Sequence, residues 1–356
     1  MTHNLERELR ALWHESRPTM SDEEIDIFFD EIFDATATAT VTDGQHLLAA
    51  GQWQEHKMTF VGQPISVGLV SGLVVDPNLN PAERSAHLAD VLRQLHAQQY
   101  ARGIMCSIVI PADAAQRQWL ESQGYMTSTH QLSAETKLPD DFQPDGRIQV
   151  SEATEWGREL WIFYAQHGGL HDFEFRLSES DFFAMIARHD LRGGHVLVAR
   201  RHGKIVGLAL ALREGKPLKS GKRSEKQYRM NFRYVLAADS NVLYTMVYHA
   251  LTLAPDSKQF VMTGGCPAKG FKGAEPHAMM RVVDAQKFLR FVAERLPGLQ
   301  LSVGINSDVD LPVNNAGYRL RDGHMYVSDD LGGSIVPPGG IPAMLLSGQP
   351  VQVPMG

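Results

Sequence analysis

The stretch GLVVDPNLNPAERSAHLADVL, residues 72–92, decides the fold of the N-terminal part of the chain. It begins as a short apolar strand, stops at Asp76-Pro77 and resumes as a helix with one apolar face. The residues of that face are Leu88, Val91, Leu92 and Leu95. A turn from a strand into a helix often binds phosphate, because the first backbone N–H groups of a helix remain free. Such turns are usually rich in glycine, yet none follows Gly72 in this stretch. The sequence therefore leaves open a working phosphate site, a damaged one or an ordinary turn.

The composition predicts a protein of two or three domains that stays in the cytoplasm. The chain has 356 residues, 43% of them apolar, a net charge of −7 and two cysteines. The acidic balance, without a helix dense in Lys and Arg, argues against nucleic-acid binding. The charged N-terminus lacks the apolar segment of a signal peptide, and no apolar run approaches the roughly 18 residues of a membrane helix. No membrane partner and no disulfide framework are therefore expected.

The first part of the chain predicts a mixed arrangement of helices and strands. Ser21 and Glu24 form a capping box before an amphipathic helix. Three strands follow, with a turn near Val61-Gly62 between two of them. After the quoted stretch come a strand, a helix that ends at Gly124, and another strand. We assign residues 1–137 to this first domain.

Two further domains are expected. Residues 138–147 are polar with two prolines and indicate a linker. Within residues 145–275, a hairpin turning at residues 201–204 is followed by strand, helix and strand, which repeats the order of the first domain. Residues 276–356 indicate a strand, a helix capped by Asp284, and further strands.

Three other features of the sequence are weaker candidates for a functional site. His167 and His171 have the spacing of metal ligands, but two glycines between them spoil the helix that would align the rings. The segment 264–273 resembles a phosphate loop but lacks Gly-Lys-Ser/Thr. Cys266 has no base near it in sequence. No metal site is therefore predicted.

The quoted turn resembles the pyrophosphate loop of acetyl-CoA-binding GNAT enzymes, whose consensus is R/Q-x-x-G-x-G/A. Counted from Asp76-Pro77, the Arg position holds Asn80 and nothing fits. Counted back from the apolar helix face, Arg84 takes the Arg position, His87 the glycine and Ala89 the last small residue. The cofactor-binding residues predicted in this register are Leu73, Val74, Val75, Arg84, Ser85, Ala86, His87, Leu88 and Ala89. The alternative is a capped helix with an arginine on its outer face.

A second resemblance concerns Tyr125. In GNAT proteins, the strand after the CoA helix leads to a helix that ends in Gly-Phe or Gly-Tyr, and a tyrosine there can protonate the departing thiolate. Tyr125 follows Gly124 at that position. The alternative is a core aromatic at the start of a strand.

The order of units along the whole chain resembles the Eis-type acetyltransferases. Stretches similar to that family are LWHESRPTMSDEEIDIFFDEIF, IVIPADAAQRQWLESQGY, MMRVVDAQKFL and LPVNNAGYRL. The resemblance implies an α+β / α/β fold: a mixed-sheet GNAT fold that is duplicated, then a small sterol-carrier-like C-terminal domain. It also implies a homo-oligomer.

The resemblance further implies an N-acetyltransferase with acetyl-CoA as co-substrate and a small-molecule or peptide amine as acceptor. Tyr125 would be the general acid, and the C-terminal carboxylate, here of Gly356, the base. The second domain lacks R-x-x-G-x-G/A, so a CoA site would belong to the first. There, the Cβ of His87 could block the pyrophosphate, or its imidazole could donate to it.

Two other functions remain open at this stage. The first is a non-catalytic GNAT relative that binds a small ligand, acyl-CoA or a partner through the altered loop or through the third domain. The second is a lipid-binding or acyl-CoA-binding role through the sterol-carrier-like part. Failure to bind acetyl-CoA at millimolar concentration would rule out the enzyme.

Overall fold

The computed structural model describes residues 2–170, 174–215, 228–263 and 274–346. Its helices are α1 Thr2–Ser16, α2 Asp22–Ile27, α3 Pro81–Ala101, α4 Ala114–Ser122, α5 Arg158–His167, α6 Glu179–Leu191, α7 Ser240–Leu253, α8 Ala285–Arg295 and α9 Gly340–Leu346. Within these ranges, none of the helices combines the length and apolar character that crossing a membrane requires.

The strands are short except for two hairpins. They are β1 Thr38–Thr42, β2 Leu47–Phe60, β3 Gln63–Val75, β4 Cys106–Val109, β5 Met126–Thr127, β6 His130–Thr136, β7 Ile148–Glu152, β8 Phe175–Arg176, β9 His195–Arg201, β10 Lys204–Gly215, β11 Tyr228–Ala237, β12 Ser257–Thr263, β13 Ala274–Pro276, β14 Met279–Val282, β15 Leu301–Ile305, β16 Ala316–Arg321, β17 His324–Ser328 and β18 Ser334–Ile335.

The chain divides into two compact units, whereas three consecutive domains were predicted. The first unit combines residues 1–130 with the segment that begins at Pro276, and the second begins at Gln131 and includes the chain up to Glu275. Between Glu275 and Pro276 the chain passes from the second unit back to the first. The segment that begins at Pro276 therefore packs with the N-terminal part.

The sheet of the first unit has the order β1-β2-β3-β4-β14-β5. The pairs β1–β2 and β2–β3 are antiparallel, and β3 pairs with β4 in parallel through the crossover helix α3. β14 is antiparallel to both β4 and β5. A strand from beyond residue 275 thus completes the sheet that the N-terminal residues begin. The remaining strands of the C-terminal segment form a small sheet, β17-β16-β15-β18.

The sheet of the second unit repeats this arrangement. Its order is β13-β6-β12-β11-β10-β9-β7, with β11 and β12 parallel and joined by α7. β6 lies beside β12, antiparallel to it, as β14 lies beside β4. The predicted duplication is visible in this topology. Along the chain, β6 precedes the other strands of the second sheet, whereas β14 follows them although it belongs to the first sheet.

Two apolar cores hold the first sheet between helices. On one side, α3 contributes Val91, Leu92 and Leu95 to a cluster with Val70 of β3 and Tyr125. On the other side, α1 and α2 cover the sheet, and the members of that cluster are Leu9, Leu12, Trp13, Ile25, Phe29, Leu47, Ala50 and Val74. Fully burying each large aliphatic side chain contributes roughly 1.5–3 kcal/mol. The apolar face of α3 predicted from its spacing therefore packs on the sheet.

Several local predictions are confirmed. Ser21 and Glu24 form the expected capping box at the start of α2, and Asp284 caps α8 by accepting from the Lys287 backbone. Tight turns lie at Val61-Gly62 and at His202-Gly203, where both residues of each turn have a positive φ. That conformation suits two-residue hairpin turns.

Candidate active site

The edge of β3 is open towards β4 over its last five residues. The parallel pairing of these strands extends only from Val67 opposite Cys106 to Val70 opposite Val109. β4 ends there, while β3 continues to Val75. The backbone groups of residues 71–75 that face this side have no neighbouring strand among the described residues. This is where the predicted residues Leu73, Val74 and Val75 lie.

A β-bulge bends β3 at the start of this open edge. Gly72 and Leu73 lie opposite the single residue Gly51, and Gly72 has a φ of 64°, which favours glycine. A Cβ on Gly51 would lie 2.7 Å from Leu73 Cδ2, so a larger residue there would push the strand out of place. Gly51 and Gly72 thus serve the bend of β3, which lies before the turn at Asp76-Pro77.

The Leu73 carbonyl on this edge already has a partner. The Arg17 guanidinium donates to it at 3.2 Å and stacks over the Trp13 ring, 4.4 Å from the ring centroid. Burial lowers the pKa of Arg17. Arg17, which sequence reasoning did not single out, therefore occupies one acceptor of the open edge.

The start of α3 is closed by the chain itself. Asn80 is the N-cap: its side-chain oxygen accepts from the N–H groups of Ala82 and Glu83, both at 3.0 Å. The Glu83 carboxylate in turn accepts from the Asn80 N–H at 3.1 Å. The Asn80 carbonyl accepts from the Arg84 N–H at 3.0 Å, and Pro81 has no N–H. The donors that a pyrophosphate would need at this helix start are already used.

This geometry corrects the predicted register of the loop. Residues 84–89 were expected at the start of the helix, but α3 begins at Pro81 and they lie inside it. There, their backbone N–H groups take part in helical hydrogen bonds and cannot cradle a phosphate. The register counted from Asp76-Pro77, with Asn80 at the Arg position, is the one the helix start supports. Glu83, not His87, then stands where the motif has its central glycine.

The side chains of residues 84–89 pack against neighbouring residues or face solvent. Ser85 accepts from the indole N–H of Trp119 at 3.0 Å. Ala86 is exposed, and Arg84, His87, Leu88 and Ala89 are half-buried. Contact of these side chains with a cofactor stays a prediction.

Tyr125 is completely buried and its hydroxyl has two partners. Tyr125 Oη lies 2.8 Å from His96 Nε2 and 2.7 Å from Ser107 Oγ. Burial raises the pKa of Tyr125. The hydroxyl therefore does not face solvent in this structure, and its predicted role as general acid depends on access that has to be created.

The partners of Tyr125 belong to a larger buried network. His96 Nδ1 lies 2.8 Å from Asp310 Oδ2. Arg281 Nη1 donates to the same Asp310 oxygen at 3.2 Å, and its Nη2 donates to Asp308 at 2.6 Å. The side chains of Arg281 and Asp308 are 2% and 0% exposed, so this ion pair is desolvated. Asp308 and Asp310 come from the C-terminal segment, which thus supplies charge to the core of the first unit.

The hydrogen-bond directions in this network follow from charge. Burial lowers the pKa of His96 to about 4, and the positive charge of Arg281 acts in the same direction. Burial alone would raise the pKa of Asp310, but the His96 hydrogen bond and the Arg281 charge lower it on balance. The ionised Asp310 carboxylate only accepts, so Nδ1 of the neutral His96 carries the proton and Nε2 is bare. Tyr125 then donates to Nε2, and Ser107 donates to Tyr125.

Other predicted sites cannot be placed. Gly356, Cys266, His171 and the segment 264–273 lie outside the described residues. Among the residues that are described, no three His, Cys, Asp or Glu side chains are grouped so as to hold a metal ion. His96, which belongs to the buried network, was not singled out from the sequence. His96 follows Leu95 on the buried side of α3, and a polar residue among the buried residues of a helix is a signal for a partner.

Solved structures of other proteins share the fold of this chain, although its sequence matches no known family. No protein-family model and no curated protein matches the sequence. Eis1 from Mycobacterium abscessus is similar in structure, with a TM-score of 0.71 at 12% identity over 97% of this chain and 88% of that one. A conserved protein of unknown function from Enterococcus faecalis V583, described as a probable N-acyltransferase, has a TM-score of 0.73 at 13% identity, again over 97% of this chain and 88% of that one. A GCN5-related N-acetyltransferase from Anabaena variabilis has a TM-score of 0.69 at 12% identity, over 98% of this chain and 88% of that one.

The chain therefore has a mixed-sheet α+β fold of the GNAT type. More narrowly, it has the fold of the Eis-type GNAT proteins, and the resemblance drawn from its sequence is confirmed at this level.

Proposed function

We propose that this protein is an acetyl-CoA-dependent N-acetyltransferase whose reaction centre lies at the open edge of β3. The observation that carries the proposal is the separation of β3 from β4 beyond Val70, together with the bulge at Gly72 that bends β3 there. An extended pantetheine arm carries amide groups that can pair with such an edge as a strand would. An N–H on the same edge can donate to the thioester oxygen as negative charge develops on it.

The reaction would be direct attack of an amine on the thioester. The acceptor is a small-molecule or peptide amine, as the resemblance implies, and a homo-oligomer is part of the same proposal. Leu73, Val74 and Val75 would contact the pantetheine, and Tyr125 would take part in proton transfer.

The start of α3 limits how the donor binds. A pyrophosphate near Pro81 would meet the Glu83 carboxylate instead of free N–H groups. Two such charges about 5 Å apart in water repel by about 1 kcal/mol, which is a factor of about five in affinity. We therefore propose that the thioester and the pantetheine, more than the pyrophosphate, hold the donor.

A non-catalytic GNAT relative is the second candidate, and a specific observation favours it. The start of α3 is capped by its own residues and the Tyr125 hydroxyl is buried, so neither the loop that the resemblance assigned to cofactor binding nor the proposed general acid is open to a ligand in this structure. Such a protein would bind a small ligand, acyl-CoA or a partner without turnover.

Calorimetric titration separates the two candidates. Acetyl-CoA is compared with S-acetylpantetheine, which lacks the pyrophosphate, and release of free thiol is followed with a panel of primary amines. The proposal expects similar affinities for the two thioesters and amine-dependent thiol release. Binding without release for any amine supports the non-catalytic relative. No binding of either thioester at millimolar concentration refutes the acetyltransferase.

A charge-neutral variant tests the role assigned to Glu83. Glu83→Gln is expected to tighten acetyl-CoA binding about fivefold and to leave S-acetylpantetheine unchanged, because only the former carries phosphate. Glu294→Gln, an exposed residue on α8, is the matched control for the loss of one negative charge. Equal tightening of both thioesters would contradict repulsion at the helix start.

A further inference from the structure

We propose that Arg17 binds a carboxylate of the acceptor, so that the acceptor is a small amino acid whose amine and carboxylate lie a few bonds apart. The inference rests on the proposed function and deepens it, because it narrows the acceptor amine to one class of substrate. Arg17 directly follows the last residue of α1, and its guanidinium lies at the open edge of β3.

Arg17 carries a positive charge that no carboxylate balances within the described part of the chain. Its side chain is half-buried and makes one hydrogen bond there, from Nη2 to the Leu73 carbonyl. Burial alone shifts its pKa, with no contribution from a neighbouring carboxylate. Arg10 of α1 is the contrast, because it pairs with the carboxylates of Glu6, Asp26 and Asp30. A desolvated cation without a counter-charge is costly, and a bound carboxylate offsets that cost.

The Arg17 guanidinium keeps donors for a ligand. Arginine has five N–H donors in a planar fork, and the Leu73 carbonyl takes one of them. None of the Arg17 nitrogens is among the buried polar atoms that lack a partner in the described residues, so the unused nitrogens reach the surface. A carboxylate accepts two parallel N–H groups from such a fork, which a carboxamide with its single oxygen cannot match.

Two aromatic rings hold the guanidinium in position. Its carbon lies 4.4 Å from the Trp13 ring centroid, and the Phe28 ring centroid lies 4.1 Å from the same Trp13 ring. Both rings pack on the bulge of β3, where a Cβ on Gly72 would lie 3.1 Å from each of them. A planar cation stacked on an aromatic ring is already oriented and loses little freedom when it binds a carboxylate.

Arg17 lies beside the backbone groups proposed to hold the thioester. The Asp76 N–H bonds to the Leu48 carbonyl of β2. Because backbone groups alternate sides along a strand, those of Leu73 and Val75 face away from β2, towards the open edge. Two residues span about 6.6 Å along a strand. An acceptor with its carboxylate on Arg17 therefore reaches the acetyl carbon only if its amine is a few bonds away.

The carboxylate orients the acceptor and takes no part in the transfer itself. The amine nitrogen forms the C–N bond to the acetyl carbon, and the C–S bond breaks with its electron pair going to sulfur. The nitrogen loses one proton to water and the thiolate gains one from water, so the products are the N-acetyl amino acid and the free thiol. Arg17 stays charged throughout, and its contact is the same before and during the reaction. Its loss should therefore raise KM and leave kcat almost unchanged.

The kinetic test compares acceptors that differ only in the carboxylate. Glycine is paired with glycinamide and phenylalanine with phenylalaninamide, and thiol release from acetyl-CoA is followed. Because the amines of a pair differ in basicity, the acid-to-amide ratio of kcat/KM is compared between proteins. This ratio should be about tenfold to a hundredfold higher in the wild type than in Arg17→Met, mainly through KM.

Two further variants separate the charge from its geometry. Arg17→Lys should keep part of the preference for acids, because it retains the charge without the planar fork. Arg290→Met, at an exposed position of α8, is the matched control for the loss of one positive charge and should behave like the wild type. Urea unfolding checks that Arg17→Met is folded, and Arg17→Lys carries the comparison if it is not.

Binding is tested without turnover. Calorimetry with N-acetylglycine, the product expected from glycine, should detect binding to the wild type and at least tenfold weaker binding to Arg17→Met. N-acetylglycinamide, which lacks the carboxylate, should not distinguish the two proteins. Equal binding of N-acetylglycine to both proteins would overturn the inference.

The outcomes separate this inference from the proposed function. Acetyl transfer with the same acid-to-amide ratio in the wild type and in Arg17→Met refutes the carboxylate site and leaves the acetyltransferase in place. Absence of transfer to every amine refutes the proposed function, and the role of Arg17 towards an acceptor with it. Weaker binding of acetyl-CoA but not of S-acetylpantetheine by Arg17→Met would mean that Arg17 holds a phosphate of the donor, which also overturns the inference.

Discussion

Protonation of His96 should destabilise the protein as the pH falls below neutrality. The folded protein holds the pKa of His96 at about 4, against about 6.5 for an unfolded histidine. The unfolded chain therefore binds the proton more readily, and the stability that neutral His96 contributes is fully present above pH 6.5. That stability is lost as the pH falls from about 6.5 towards 4. At pH 5, the loss is about 2 kcal/mol, and its limit is about 3 kcal/mol.

Urea unfolding of the wild type and of His96→Gln at pH 7.5 and 5.0 measures this loss. The wild type should lose about 2 kcal/mol more than the variant between the two pH values, because glutamine does not titrate. His189 and His277 also have a pKa lowered by burial, but they are present in both proteins and cancel in the difference. His324→Gln, an exposed site, should behave like the wild type.

One result would refute the reasoning. If His96→Gln loses as much stability on acidification as the wild type, then His96 does not resist protonation in the folded protein. The buried network would then have to contain an imidazolium, and Tyr125 could not donate to Nε2.

Three more substitutions probe the same region of the first unit. Arg281→Met leaves the buried Asp308 carboxylate without its cation and should lower the free energy of unfolding by about 3–5 kcal/mol, measured in urea; an unchanged value would mean that the pair is solvated. Gln99 is buried and has no hydrogen-bond partner for either side-chain polar atom within the described structure, so Gln99→Met should raise the melting temperature and add about 1 kcal/mol; destabilisation would reveal a partner. Arg17→Met frees the Leu73 carbonyl and should tighten S-acetylpantetheine binding about fivefold in calorimetry; weaker binding would show that Arg17 itself contacts the thioester.

Local features of the fold were predictable because their causes lie within a few residues. The α2 capping box, the turns at Val61-Gly62 and 201–204, and the apolar face of α3 follow from spacing and turn chemistry alone. The position of β14 in the sheet, beside β4, does not follow from local sequence. The four residues of β14, of which three are apolar and one is Arg281, lie about 170 positions after β4 and carry no local sign of the sheet they join, since strand pairing is decided by tertiary packing.

The start of α3 at Pro81 was predictable from the sequence, and the expectation that residues 84–89 begin the helix was wrong for a physical reason. Asn80, Pro81 and Glu83 are an N-cap, a first-turn proline and the glutamate of a capping box, which together place the helix start at Pro81. Anchoring on the apolar face instead moved the expected start by several residues, because the face shows where a helix packs and not where it begins. Cap residues fix a helix end more closely than periodicity does.

The buried network changes which part of the chain completes the first unit. Residues 1–130 contain Tyr125, His96 and Ser107, but the groups that set the charge and tautomer among them are Arg281, Asp308 and Asp310. These come with β14 and the loop after β15, so the charged half of the network arrives only when the chain returns from the second unit. A buried arginine or aspartate without its partner is strongly destabilising, and therefore the return of the chain and the ordering of this network depend on each other. The buried network thus belongs to residues 1–130 and the C-terminal segment together, and residues 1–130 alone would leave His96 without the carboxylate that fixes its tautomer.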